Sequence, residues 1–323
     1  MLILSDSLFN GNLYFSLDKI KDLAPLHNPP VIELIKECKN KYPTVPQAII
    51  LDSTFHLTIP EYAYTYALPQ KISKELGIRK YGFHGISHQY VSEKAADFLN
   101  IKFEELNAVS CHLGSGGASL CAIKGGKSID NSMGFSPLQG LVMSTRCGSL
   151  DPTVILKMLA YSGGNFEKVN NILNKKSGVL GLSGVSSDIR DIITKFKHGD
   201  KRSEMTFEIY LWRIKKYLGS YLALVGKVNA IIFTDTIGEL IPSVREAICN
   251  YMEYFGIKID KIKNASVQNY PCDISSPKSK VRILVIKTNE ELAIAKRAYK
   301  IFLQNENYQN TFPSEANYKM EQF

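Results

Sequence analysis

An α/β protein is predicted, on three observations. Short apolar runs rich in β-branched residues alternate with amphipathic stretches of helical period, several runs end in glycine-rich loops, and no repeat of solenoid period is present. The runs that read as strands are residues 48–51, 108–113, 118–123, 230–234 and 281–286. Each ends in residues able to do chemistry.

The helices are read from their caps as well as their period. Ser87 is placed to cap a helix running through Tyr90, Val91, Ala95 and Phe98, and Asp151-Pro152 reads as an N-cap followed by proline at the first helical position. Thr288-Asn289-Glu290-Glu291 has the form of a capping box opening residues 292–302. A long helix is expected over residues 204–225.

Length and composition bound the function classes. A chain of 323 residues with 45% apolar content has the material for one large domain or two ordinary ones. Its net charge is +8, with lysines spread along the whole chain and not interleaved with aromatics, which argues for small anionic ligands and against nucleic acid. The six cysteines form no CxxC pair, and read as reduced thiols of a cytoplasmic protein. The apolar start, MLILSDSLFNGNLYFSL, lacks a basic leader and carries Asp6 early, so neither a signal peptide nor a membrane span is expected. The polar stretch 304–323 reads as a frayed tail.

Several motifs carry possible chemistry. In RKYGFHGISHQYV, His84 falls in a glycine-flanked loop and His88 in the first turn of the following helix, so the two do not share a helix face as a zinc pair would. HLGSGGASL, residues 112–120, lies between two strands; its glycines would let backbone N–H groups approach an anion, or would simply make a hairpin turn. SGVLGLSGVSSDIRD, with Asp188 and Arg190 at its end, and FTDTIGE after a buried strand add two more glycine-rich stretches, which together suggest a nucleotide held between lobes. Arg146, in MSTRCGSLDP, is either a surface ion-pair partner or a fork for phosphate, and Asp52 ends an apolar strand where ligands bind in α/β sheets, or caps a helix.

Taken in order, ILDSTFHLTIPEYAYTYALP, IRKYGFHGISHQYVSEKAA, CHLGSGGASL, SMGFSPLQGLVMSTRCGSLDP, GVLGLSGVSSDIRDI and TNEELAIA resemble consecutive motifs of the acetate kinase family. The resemblance covers the chain from about Leu23 to about Ala295. It implies a two-domain fold of the actin-like ATPase (ribonuclease H-like) superfamily, working as a homodimer that transfers the γ-phosphoryl of ATP to acetate with Mg²⁺, or Mn²⁺ in its place. Propionate is a plausible second acceptor, because a small apolar pocket discriminates weakly by one methylene.

Carried over residue by residue, the resemblance makes Asp52, His84 and Arg146 catalytic and Glu290 the magnesium-linked carboxylate. Leu26, Phe83 and Pro137 match the pocket for the acetate methyl. His112, Gly114, Ser115, Gly116, Asp188, Arg190, Thr236 and Gly238 match the ATP-binding positions, with Asp188 and Arg190 near the adenosine end.

The sequence also departs from the family pattern. Ser115 stands where the family has asparagine, Thr236 where it has glycine and Leu240 where it has asparagine. The family's leading segment, with a first phosphate loop, an active-site asparagine and a second substrate arginine, has no counterpart in these residues, so the first domain is expected to be incomplete: residues 1–54 plus 288–323, against a nucleotide-binding domain of 55–287. The readings that follow are an acetate kinase, a weakly active or inactive remnant of one, and, from a different class, a metal-dependent hydrolase using His84, His88 and His112.

Overall fold

The computed structural model describes residues 7–8 and 28–304, so Leu26 lies outside the described residues. The chain divides into two compact units, one of Met1–Thr54 with Asn289–Phe323 and one of Phe55–Thr288. No described helix is long and apolar enough to cross a membrane.

In the smaller unit a two-residue strand, β1 (Ser7–Leu8), pairs antiparallel with β2 (Ala48–Ile49). The helices Asn28–Lys41 and Glu290–Leu303 belong to the same unit, and the second of them lies against both strands. Its cap differs from the capping box read in the sequence. Asn289 is the N-cap, its side chain accepting from the Leu292 N–H at 2.9 Å, while the Thr288 hydroxyl is spent in the larger unit on Ser87.

The larger unit is built on a six-stranded sheet. Its strands are β3 (Ala108–Leu113), β4 (Ala118–Lys124), β5 (Lys127–Asn131), β6 (Ala230–Thr234), β7 (Cys272–Asp273) and β8 (Arg282–Val285). They lie in the order β5-β4-β3-β6-β8-β7; β3, β6 and β8 run parallel, and the outer strands are antiparallel additions. Every residue of β3 and of β6 is buried, as expected of central strands covered on both faces.

The two-residue side-chain period sorts these strands onto two cores. Val109, Cys111, Leu113, Ile231, Phe233, Ile283 and Val285 face one layer, which the Lys201–Val225 helix covers with Tyr210, Ile214, Leu218 and Tyr221. Ala108, Ala230, Ile232 and Leu284 face the other, packed against Val91, Ala95 and Ala96 of the Gly85–Leu99 helix. Ser110 and His112 continue that second face toward the C-terminal end of β3, where apolar packing gives way to polar groups. Ligands bind at this end of parallel strands in open α/β sheets.

The Gly85–Leu99 helix starts two residues before Ser87. His84 is its N-cap, in the left-handed region at φ 57°, and its carbonyl accepts from the His88 N–H. A left-handed histidine is uncommon and costs backbone energy, and the turn it makes releases Ser87 from capping. The stretch 177–191 forms a short helix, Gly178–Ser183, and then the Ile189–Lys197 helix capped by Asp188; the stretch after β6 forms the Asp235–Leu240 helix. Only the 114–117 stretch is a glycine-rich turn joining two strands, of the three read in the sequence.

Candidate active site

The polar groups at the C-terminal end of the sheet come from five places in the chain. The register of the sheet sets Ser119 on β4 opposite His112 on β3, and Thr234 on β6 beside His112 on the other side. Between β3 and β4 the turn is closed by the Gly114 N–H bonding to the Gly117 carbonyl at 2.9 Å. Ser115 and Gly116 stand exposed at its tip.

Arg146 reaches under this tip from a loop. Its Nη1 donates to the Pro137 carbonyl at 3.0 Å and its Nη2 to the Gly116 carbonyl at 3.2 Å, while the Ser144 hydroxyl donates to the same Gly116 oxygen at 3.0 Å. Arg146 is only 6% exposed, and burial lowers its guanidinium from its ordinary value. Among the described residues no carboxylate pairs with it. A buried cation whose partners are carbonyl oxygens is incompletely compensated, and three of its five N–H donors remain for an anion.

His84 converges on the same place. A methyl group built on Gly117 would lie 2.8 Å from Arg146 Nη2 and 3.2 Å from His84 Nε2. A side chain there would have to displace the end of Arg146 or the His84 ring. It also means that Arg146 Nη2 and His84 Nε2 both border Gly117, close to each other on the same side of the hairpin. The other ring nitrogen of His84, Nδ1, is 2.9 Å from Ser119 Oγ.

His112 stacks on His84 with centroids 4.1 Å apart. Its Nδ1 meets Ser87 Oγ at 2.9 Å and its Nε2 donates to Asp235 Oδ2 at 2.9 Å. Asp235 is itself left-handed, at φ 63°, and its other oxygen accepts from the Thr236 N–H at 2.5 Å and the Thr236 hydroxyl at 2.8 Å. Burial pushes this carboxyl up, but the hydrogen bond and charge of His112 and the bonds from Thr236 outweigh it and hold the group well below the usual carboxylate range. A side chain on Gly114 would run into Asp235 Oδ2, so this carboxylate borders the hairpin directly.

The Asp235–Leu240 helix is fixed from behind. Glu239 Oε1 accepts from the Asp235 and Thr288 N–H groups at 2.8 and 3.0 Å, and the fully buried Arg245 donates to the Gly238 and Glu239 carbonyls and to Asn264. Gly238 is packed inward, 3.4 to 3.7 Å separating its would-be Cβ from β3 and β6 backbone and the Phe233 side chain. These are ordinary van der Waals distances, so packing leaves room for a methyl group at that glycine.

The larger unit thus brings together His84, Arg146, His112, Gly114, Gly116 and Pro137 of the residues singled out in the sequence. Phe83 is half-buried against the main core, and its carbonyl is 3.0 Å from His56 Nε2. Asp188 and Arg190 bond each other through both carboxylate oxygens at the start of the Ile189–Lys197 helix, and neither side chain bonds the hairpin. Asp52 follows β2 and Glu290 opens its helix; both are half-buried and both belong to the smaller unit. The rings of His84, His88 and His112 lie 4.1 to 6.5 Å apart, but five of their six nitrogens, all except His84 Nε2, are engaged with serine hydroxyls or Asp235. Among the described residues no three of His, Cys, Asp and Glu are grouped to hold a metal.

Sequence reasoning missed Ser87 as a hydrogen-bonding partner, Ser110, Ser119, Asp235, Glu239 and Arg245. The positions of Asp235 and Glu239 within FTDTIGE were a usable signal; a serine inside an otherwise apolar strand, as at Ser110 and Ser119, was another.

Comparison with known proteins bears on this arrangement. The sequence profile of the Acetokinase family matches residues 6–296. The acetate kinase of Acetivibrio thermocellus is 49% identical over 280 residues, 87% of this chain and 70% of that protein, and that of Thermoanaerobacterium thermosaccharolyticum is 50% identical over 298 residues, 92% and 74%. Among solved structures, Porphyromonas gingivalis acetate kinase superposes with a TM-score of 0.86 at 38% identity, covering 93% of this chain and 75% of the other. A Francisella tularensis propionate kinase gives 0.87 at 38%, covering 93% and 76%. The fold is that of the actin-like ATPases. The chain belongs to the acetokinase family.

Proposed function

We propose that this chain is an acetate kinase, moving the γ-phosphoryl of ATP to acetate by direct in-line transfer. An acetate oxygen forms a bond to the γ-phosphorus as the bond to the β–γ bridging oxygen breaks, giving acetyl phosphate and ADP. Propionate is accepted as a second substrate. The observation that carries this reading is that a buried, incompletely compensated Arg146 and His84 Nε2 come together beside Gly117 of a glycine hairpin. Phosphoryl transfer asks for this: positioned donors for charge spread over equatorial oxygens, with little covalent help.

In this reading Arg146 and His84 bind the transferring group, and the hairpin at Gly114, Ser115 and Gly116 approaches the nucleotide phosphates. Phe83, Pro137 and Leu26 line the methyl pocket. Asp188 and Arg190 lie toward adenosine, with Thr236 and Gly238 beside the nucleotide. Asp52 is the catalytic carboxylate and Glu290 the metal-linked one. The smaller unit is part of the family's N-terminal domain and the larger unit is the nucleotide-binding domain. The working form is a homodimer.

Mg²⁺ suits the donor chemistry. Asp52 and Glu290 are hard oxygen donors in one unit, and no three-residue cage exists among the described residues, which fits an ion held by one or two carboxylates with phosphate oxygens supplying the rest. Bound there, Mg²⁺ or Mn²⁺ would neutralise phosphate charge.

A second reading, a member of low turnover, is favoured by Asp235: its carboxylate stands against the hairpin where nucleotide phosphates would approach. One assay separates the two. The purified chain is given ATP, Mg²⁺, acetate and hydroxylamine, and acetyl hydroxamate is measured beside an Asp52→Asn control. Formation that the control abolishes supports the kinase; none from folded protein supports the second reading.

A further inference from the structure

Behind His84 lies a row of polar groups sealed from water. Ser110 Oγ is 2.9 Å from His88 Nδ1, His88 Nε2 is 2.8 Å from Ser119 Oγ, and Ser119 Oγ is 2.9 Å from His84 Nδ1. Ser110, His88 and Ser119 are each 0% exposed. Burial, and then the neighbouring rings of His112, His56 and His84, push the His88 imidazole well below its ordinary value, so it carries a single proton.

Each contact in the row needs one proton, and each hydroxyl and each neutral ring has one to give. Two unbroken directions satisfy the three contacts; a third arrangement, in which His88 Nε2–H and His84 Nδ1–H both donate to Ser119, leaves the buried Ser119 hydroxyl proton stranded. In the first, the Ser110 hydroxyl donates to His88 Nδ1, His88 Nε2–H donates to Ser119 Oγ, and the Ser119 hydroxyl donates to His84 Nδ1. In the reverse, His84 Nδ1–H starts the row and Ser110 only accepts at its end.

The two directions differ at Ser110. Among the described residues its hydroxyl has no second hydrogen-bond partner, so the reverse direction strands a buried O–H proton. The forward direction leaves none stranded, a bias of roughly tenfold or more. A His84 protonated on both nitrogens is disfavoured likewise, because Ser119 would then accept twice and have nothing to donate to.

We propose that Ser110, His88 and Ser119 form a one-way hydroxyl–imidazole relay that fixes His84 as the Nε2–H tautomer, so that the nitrogen facing the hairpin tip and Arg146 is a donor. The inference deepens the kinase reading and rests on it for its functional meaning: a donor at Nε2 suits a phosphoryl oxygen, whereas a lone pair there repels one. The three residues act through His84 and are positioning residues. A parallel row supports the principle. The Thr288 hydroxyl donates to Ser87 Oγ at 3.0 Å, Ser87 faces His112 Nδ1, and His112 Nε2–H ends on Asp235; in the neutral ring the acceptor-only carboxylate holds the single proton on Nε2, and Nδ1 accepts from Ser87.

The test is the tautomer itself. The full chain, labelled with ¹⁵N-histidine, is examined by long-range ¹H–¹⁵N correlation at pH 7.5, with His84 assigned through His84→Gln. The expected result is a proton on Nε2 and a bare Nδ1 in the wild type, and a mixture of both tautomers in Ser110→Ala, with kcat lowered about two- to fivefold and both KM values unchanged. Ser119→Ala cuts the relay at its last link and serves if Ser110→Ala does not fold. A wild-type His84 protonated on Nδ1, or a tautomer that neither variant disturbs, would overturn the relay. The spectrum needs no substrate, so an inactive chain with the Nε2–H form refutes the kinase reading alone.

Discussion

The imidazole of His84 lies stacked on that of His112, centroids 4.1 Å apart and planes 27° from parallel, and His112 in turn is bonded to Asp235 at 2.9 Å. The pair couples the group facing the hairpin to a carboxylate that no approaching phosphate would welcome. Replacing Asp235 with asparagine removes one negative charge beside Gly114. At a separation of roughly 8–10 Å and an effective dielectric of about 20, that is worth about 1–2 kcal/mol. Asp235→Asn should therefore bind ADP about tenfold tighter by calorimetry; equal or weaker binding would show that the carboxylate does not oppose nucleotide.

Arg146→Lys should keep the charge and lose the function. A lysine ammonium cannot hold the Pro137 and Gly116 carbonyls while presenting further donors in a plane. Acetyl phosphate formation should fall by about 10²–10³, with the melting temperature little changed. A loss below about fivefold would place Arg146 outside the chemistry.

Gly117→Ala tests the convergence above the hairpin. Its new methyl would meet Arg146 Nη2 at 2.8 Å and His84 Nε2 at 3.2 Å, forcing at least one of two positioned groups aside. The expected cost is about 10- to 100-fold in kcat/KM with the fold intact. Unaltered kinetics would mean that the two nitrogens do not act at that point.

Acid should unfold the larger unit early. Burial lowers His56 to about 4, offset in part by its bond to the Phe83 carbonyl, and His88 is also held well below its ordinary value. Both folded values lie below the unfolded value, so the unfolded chain takes up protons first. Their stability is fully present above about pH 6.5 and is lost as pH falls from there toward 4, at about 1.4 kcal/mol per pH unit for each ring. His56 alone accounts for roughly 3 kcal/mol by pH 4. Urea midpoints should therefore drop steeply between pH 7.5 and pH 5, less so in His56→Gln. Coincident midpoints at the two pH values would refute the assignment.

How far the sequence could be read depended on whether local signals agreed with tertiary pairing. β3 and β6 were legible because every position is buried between two helical layers, which favours a mostly apolar run of strand length. β5 was not, because Lys127-Ser128-Ile129-Asp130-Asn131 is a polar segment held in the sheet by pairing with β4 across the Gly125-Gly126 turn. Ser87 looked like a helix cap because it precedes an apolar stripe; a left-handed His84 starts the helix earlier and turns Ser87 toward His112 and Thr288. Arg146 and His84 stood out by motif, whereas the serines that orient the rings carry no pattern of their own. Their meaning exists only once β3, β4 and the Gly85–Leu99 helix are brought together.

The most direct test of the account follows ³¹P resonances while the purified chain is given acetyl phosphate, ADP and Mg²⁺, beside His84→Ala. The account predicts that the acetyl phosphate signal gives way to the γ-phosphate of ATP, and that the variant slows this by about 10² or more while remaining folded. Conversion at the wild-type rate by His84→Ala would contradict it.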